Sequence, residues 1–138
     1  MTVRKHILIV DDDERVRFVL SRTLMGVADG YDIATAQNGR EALIKAGMMP
    51  VDLVITDLRM PDVDGVELTE AIKSSNAGAA VIWITAYGCH EFKDEATRLS
   101  VYGCLEKPLK VGRIRQIVQE ALEDIGETEP NDRIKGGT

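Results

Sequence analysis

Five short apolar runs, each followed by an amphipathic stretch, alternate along this chain, and that alternation leaves few folds open. The runs are His6–Val10 (HILIV), Tyr31–Ala36, Asp52–Thr56 (DLVIT), Ala80–Thr85 (AVIWIT) and Gly103–Glu106. All five read as strands; the β-branched and leucine content of His6–Val10 fits a strand covered on both faces, whereas Tyr31–Ala36 is weaker and alternates in polarity. Between them apolar residues recur at helical spacing. Val16, Val19, Leu20, Leu24 and Val27 form one stripe, closed by Gly26 and Asp29-Gly30. Asn38-Gly39 opens a second helix with Ala42, Leu43 and Ala46 inward, stopped by Gly47 and Pro50. A third spans Val66–Ser75, a fourth His90–Leu99 with Phe92, Ala96 and Leu99 inward, and a fifth about Val111–Ile125 with the cleanest stripe. Strands alternating with helices predict an α/β fold: a doubly wound, five-stranded parallel sheet with right-handed crossovers and strand order 2-1-3-4-5.

Bulk properties narrow the function classes. The chain has 138 residues, enough for one domain with its own core, and its apolar runs are far too short to cross a bilayer. The first residues lack the long apolar stretch of a secretory signal, so a cytoplasmic location is expected. Net charge is −6 and no dense Lys/Arg cluster appears, which argues against direct nucleic-acid binding by this segment. No GxxxxGK[ST] or GxGxxG pattern points to a nucleotide. Cys89 and Cys104 are too few for a disulfide framework and lack metal-ligand spacing, so both are expected to be plain thiols in a reducing compartment. Residues 126–138 (GETEPNDRIKGGT) carry no periodicity and read as a disordered tail or the start of a linker, leaving 1–125 as the domain.

In a doubly wound sheet, ligands bind beyond the carboxyl ends of the strands, at the switch point between strands 1 and 3. Strand 1 ends in Asp11 and Asp12, strand 3 in Asp57, strand 4 in Thr85 and strand 5 in Lys107. Three carboxylates on one rim repel one another, and a hard divalent cation such as Mg²⁺ resolves this. A carboxylate can accept a phosphoryl group as an aspartyl phosphate, with Lys107 and Thr85 placed to meet phosphoryl oxygens.

With those residues in place, the pieces ILIVDDD, LVITDLRMPDVDG, ITA and EKP resemble receiver domains of two-component response regulators, over about residues 4–123. The resemblance implies a flavodoxin-like (βα)5 receiver in which Asp57 is the phosphoacceptor. It implies that Asp11 and Asp12, with Asp57 and the backbone carbonyl of Arg59, hold Mg²⁺. Thr85 and Lys107 become the switch hydroxyl and the phosphate-pairing lysine, and a cis peptide precedes Pro108. Arg59 and Tyr87 flank the pocket, where they would tune phosphate lifetime. The implied partners are a sensor histidine kinase or phosphotransfer protein and an unknown output domain or target, with the protein a monomer or weak homodimer. The response would run through the surface of helix 4, strand 5 and helix 5, and the only catalysis would be slow self-dephosphorylation.

The chain departs from the pattern at the switch. Cys104 stands where many receivers have an aromatic residue, with Tyr102 two residues earlier on the same side of a strand. Cys104 is expected to pack passively. Among the other residues, Asp13 suits a first helical turn, Asp62 and Asp64 read as loop acids, Trp83 as core, and His6 and His90 as residues without an acidic partner. Two alternatives fit less well: a phospho-independent interaction module on the same fold, which the presence of both Asp57 and Lys107 argues against, and an Asp-based phosphatase, which needs an acid where Arg59 stands.

Overall fold

A computed structural model describes residues 5–126. Five parallel strands form one sheet in the order β2-β1-β3-β4-β5. The strands are β1 (Lys5–Val10), β2 (Tyr31–Ala36), β3 (Leu53–Asp57), β4 (Ala80–Thr85) and β5 (Gly103–Glu106). The helices are α1 (Glu14–Met25), α2 (Gly39–Met48), α3 (Gly65–Ser75), α4 (Lys93–Arg98) and α5 (Val111–Gly126). The predicted order and alternation are therefore realised. No described helix is long and apolar enough to cross a membrane.

The continuous apolar runs are explained by which face each residue takes. Ile7 and Ile9 of β1, Leu53 and Ile55 of β3, and Ile82 and Ile84 of β4 pack on one face with Leu20 and Leu24 of α1 and Ile114, Val118 and Ala121 of α5. The alternate residues Leu8, Val10, Val54, Val81 and Trp83 pack on the other face with Ala42 of α2 and Leu68 and Ile72 of α3. A strand buried on both faces favours apolar residues at successive positions, as Ile7–Val10 of β1 and residues 53–55 of β3 show. Each fully buried Ile or Leu contributes about 1.5–3 kcal/mol relative to exposure. Trp83 is core, as expected, and its indole Nε1 donates to the hydroxyl of Thr69 on α3 at 2.8 Å.

Several local readings change. Val19 is 37% exposed; the inner face of α1 instead carries Leu20, Thr23 and Leu24, with the Thr23 hydroxyl satisfied by the Val19 carbonyl at 2.7 Å. Gly47 lies inside α2, which runs one residue further to Met48. The fourth helix is shorter than expected: Cys89–Phe92 form a 3-10 turn and only Lys93–Arg98 are α-helical. Phe92, Ala96 and Leu99 still face the core. Asp64 is more than a loop acid, because it caps α3 in a reciprocal box with Glu67. His6 does have an acid nearby: Asp32, its register partner on β2, lies 3.9 Å from Nδ1. The expected unstructured segment 126–138 lies outside the described residues, apart from Gly126 at the end of α5.

The two cysteines overturn the thiol expectation: Cys89 and Cys104 form a disulfide, with Cα atoms 6.0 Å apart. They stand 15 positions apart in the chain, too far for spacing to suggest contact. The crossover from β4 to β5 brings them together, because the turn after β4 folds back over the middle of β5. Cys104 packs against the core on the α2 and α3 side, as expected, and is in addition cross-linked to Cys89. Tyr102 precedes β5, and its hydroxyl donates to Asp124 of α5 at 2.8 Å.

Candidate functional site

The carboxyl ends of β1, β3, β4 and β5 converge on one acidic pocket. Asp11 follows β1 and is fully buried, while Asp12 beside it is exposed. The Asp11 amide donates to the Ala36 carbonyl at the end of β2 (3.2 Å), which fixes the strand end before the chain turns. Asp13 then caps α1 by accepting the Arg15 amide at 2.9 Å, as an acid in that position should. Hydrogen bonds from Arg15 hold the Asp13 carboxyl below the usual carboxylate range. Asp57, the last residue of β3, is 5% exposed. Behind it Gly65 starts α3. A Cβ there would collide with the Asp57 carbonyl and stand 2.8 Å from Leu58 Cα, so the close approach of helix and strand end requires glycine.

Carboxylate oxygens of Asp11, Asp12 and Asp57 lie within 4.8 Å of one another. Lys107 reaches in from the end of β5, its Nζ 3.1 Å from both Asp57 Oδ2 and Asp11 Oδ2. Its backbone is anchored by donating to the Thr85 carbonyl at 2.8 Å, and the Lys107–Pro108 peptide is cis. Burial opposes the lysine's charge, but the hydrogen bond to Asp57 and the charges of Asp11 and Asp57 outweigh it and raise its pKa. Asp11 is raised as well, by burial first and then by the Asp57 charge, against the lowering pull of the Asp13 amide and Lys107.

The charge in this pocket is not balanced. One Asp11 oxygen accepts the Asp13 amide at 2.8 Å. The other, Oδ2, is buried without a directed hydrogen bond; the ammonium of Lys107 supplies charge there but poor alignment. Three carboxylates against one ammonium leave surplus negative charge around a buried Asp11 oxygen that makes no aligned hydrogen bond. An all-oxygen donor set of this kind fits a hard divalent cation.

Thr85 is fully buried at the end of β4. Its hydroxyl accepts from the Tyr87 amide (2.9 Å) and donates to the Tyr87 carbonyl (3.1 Å). The Arg59 amide points at Asp57 Oδ1, 3.3 Å away. Its guanidinium stacks over the Tyr87 ring with 4.7 Å to the centroid, so the two residues placed at the pocket mouth by sequence are in contact. The sequence residues Asp11, Asp12, Asp57 and Lys107 thus come together, while Thr85 stands at the rim with its hydroxyl engaged by the following loop. Two participants were missed. Arg17, one turn into α1, donates to the Asp11 carbonyl at 2.7 Å. Glu106 accepts the Cys89 amide at 2.8 Å and ties the turn after β4 to β5. Neither follows from spacing; both depend on how α1 and the β4–α4 turn lie over strand ends.

A family model described as the response regulator receiver domain matches residues 7–119. The transcriptional regulatory protein GlrR of Escherichia coli is 37% identical over 118 residues, 86% of this chain and 26% of that protein. The regulatory protein AtoC of Escherichia coli is 36% identical over 123 residues, 89% of this chain and 26% of that protein. This chain therefore spans about a quarter of their length. Among solved structures, the REC domain of AraT, a response regulator from Geobacillus stearothermophilus, superposes with a TM-score of 0.82 at 30% identity, covering 90% of this chain and 97% of that one.

Proposed function

Because the chain belongs to the response regulator receiver domain family, we propose that it is a phosphorylation-driven switch whose acceptor is Asp57. The observation that carries this reading is the shared Lys107 contact: one ammonium 3.1 Å from a carboxylate oxygen at the end of β3 and from a buried one after the end of β1. Asp57 is the carboxylate best placed as nucleophile, since it sits at the centre of the sheet between the acid pair and the lysine.

Asp11, Asp12 and Asp57, with the Arg59 carbonyl, would hold Mg²⁺, which when bound supplies positive charge against the phosphoryl oxygens. The rest of the chemistry belongs to the chain. A carboxylate oxygen of Asp57 forms the new O–P bond while the donor's P–N or P–O bond breaks and its electron pair leaves with the departing group. Lys107 exchanges its carboxylate contact for a phosphoryl oxygen. The Thr85 hydroxyl, now spent on the Tyr87 backbone, turns to another phosphoryl oxygen and releases the loop 86–88. That release passes the signal to α4, β5 and α5.

As a receiver, the chain acts as a phosphoacceptor and not as an enzyme in its own right, apart from slow loss of its own phosphoryl group. The family implies a sensor histidine kinase or phosphotransfer protein as donor and an output domain or separate target downstream. The test is incubation with acetyl phosphate and Mg²⁺ followed by intact mass. Wild type should gain one phosphoryl group, and Asp57→Asn or chelation of the metal should abolish the gain. No gain in wild type would favour a phospho-independent interaction module.

A further inference from the structure

We propose that Cys89 and Cys104 are a reversible redox site, and that their disulfide restrains the loop through which the phosphorylation signal leaves. The restraint rests on the function proposed above; the redox site does not. The location carries the inference. Cys89 follows the loop 86–88, four residues after Thr85, and Cys104 lies in β5, three residues before Lys107. Trp83 of β4 pairs with Cys104 in register, so β5 at that point is held to an inner strand of the sheet. The disulfide therefore fastens the far end of the loop to β5. Its near end is held by the Thr85 hydroxyl on the Tyr87 backbone. When that hydroxyl lets go, the disulfide still holds Cys89. Apart from the disulfide, the Cys89 amide also donates to Glu106 at the end of β5, at 2.8 Å.

The surroundings suit thiol chemistry. Both cysteines are half-buried, so neither sulfur is sealed in the core. They line one surface pocket with Lys107, Lys110 and Arg113, against the single acid Glu106. Positive charge favours thiolate over thiol and draws anionic reagents. The oxidant we assign is a low-molecular-weight disulfide of the glutathione class. One cysteine thiolate attacks a sulfur of that disulfide, expelling one small thiolate and leaving a mixed disulfide. The second cysteine thiolate attacks the protein sulfur of the mixed disulfide and expels the other small thiolate. Two cysteine thiols lose two protons and two electrons, and the reagent is reduced to two thiols. Excess reduced thiol runs the sequence backwards, which makes the site compatible with a reducing compartment and responsive when that compartment turns oxidising.

The experiment has a redox arm read without any phosphoryl donor. The full chain is equilibrated in glutathione buffers of graded composition, quenched, and mapped by peptide mass spectrometry. A Cys89–Cys104 cross-link that appears and disappears within the buffer range is expected, absent in Cys104→Ser and in Cys89→Ser. Amide hydrogen exchange at residues 86–92 should be severalfold slower in the oxidised form, and the two serine variants should match the reduced wild type. In the second arm, beryllium fluoride with Mg²⁺ replaces the phosphoryl group, and NMR shifts of residues 86–92 are compared. The oxidised form should show a severalfold smaller response than the reduced form. Failure to cross-link in the most oxidising buffer, or equal exchange and equal response in both forms, would overturn the proposal. Failure of both forms to respond to beryllium fluoride, with the redox arm intact, would instead count against phosphorylation at Asp57 and against the restraint, and leave the redox site standing.

Discussion

Replacing Thr69 by valine exchanges one hydroxyl for a methyl group at nearly constant shape, which makes its consequence calculable. Thr69 and Trp83 are both fully buried. The hydroxyl accepts the Trp83 indole N–H at 2.8 Å and donates to the Gly65 carbonyl at 2.7 Å. This relay ties β4 to the first turn of α3, the turn packed against the back of Asp57. In Thr69→Val the Gly65 carbonyl still heads a helical turn, but the indole N–H is left in the core with no acceptor. An orphaned buried donor costs about 1–3 kcal/mol, so a loss of about 2 kcal/mol is the expected value, and the thermal midpoint should fall by about 6–12 °C for a domain of this size. Thr69→Ser keeps the hydroxyl and loses one methyl group, a cost of about 1 kcal/mol. Urea denaturation followed by fluorescence is the assay, since Trp83 is the single tryptophan. In a Trp83→Phe background, followed by circular dichroism, the valine change should cost less than half as much because no N–H remains to orphan. Equal cost in both backgrounds, or a loss below about 0.5 kcal/mol in wild type, would refute the reasoning.

Asp11→Asn should stabilise the metal-free domain at neutral pH. A pKa raised by folding gives stability that is present below the unfolded value of 3.8 and is lost as pH rises through the folded value. The ionised Asp11 is therefore a burden at pH 7. The gain should be on the order of 1 kcal/mol, read by calorimetry, and should shrink as pH falls towards 4. Mg²⁺ should raise the midpoint of wild type and barely move that of the variant. Gly65→Ala forces a Cβ into the Asp57 carbonyl and should cost about 2–4 kcal/mol, with slowed phosphoryl uptake; chemical denaturation and intact mass check both. Arg59→Ala removes the guanidinium from the Tyr87 ring at the pocket mouth. Uptake should persist while the decay rate of the phosphorylated form changes, followed by intact mass over time; unchanged decay would remove Arg59 from the account.

Legibility in the sequence followed a physical division. Strand order, both packing faces and the converging rim were readable because periodicity and apolar run length are local consequences of burial. Asp11, Asp57 and Lys107 stood out because a strand end is marked by the last residue of an apolar run. Features decided by tertiary contact were not readable. The Cys89–Cys104 link depends on a turn folding over β5, and the Arg59–Tyr87 stack on two loops meeting over the pocket. His6 and Asp32 meet because register pairs them across two strands. Val19 was misplaced because a stripe wider than one face leaves its flank exposed, and the register of the helix decides which flank.

The central claim is that Asp57 carries the phosphoryl group. Acyl phosphates are cut reductively by borohydride, which converts the phosphorylated aspartate to homoserine. The chain is treated with acetyl phosphate and Mg²⁺, reduced, digested and sequenced by mass spectrometry. Homoserine at position 57 alone is the predicted result. Homoserine at Asp11, Asp12 or another acid, with Asp57 unmodified, would contradict the account.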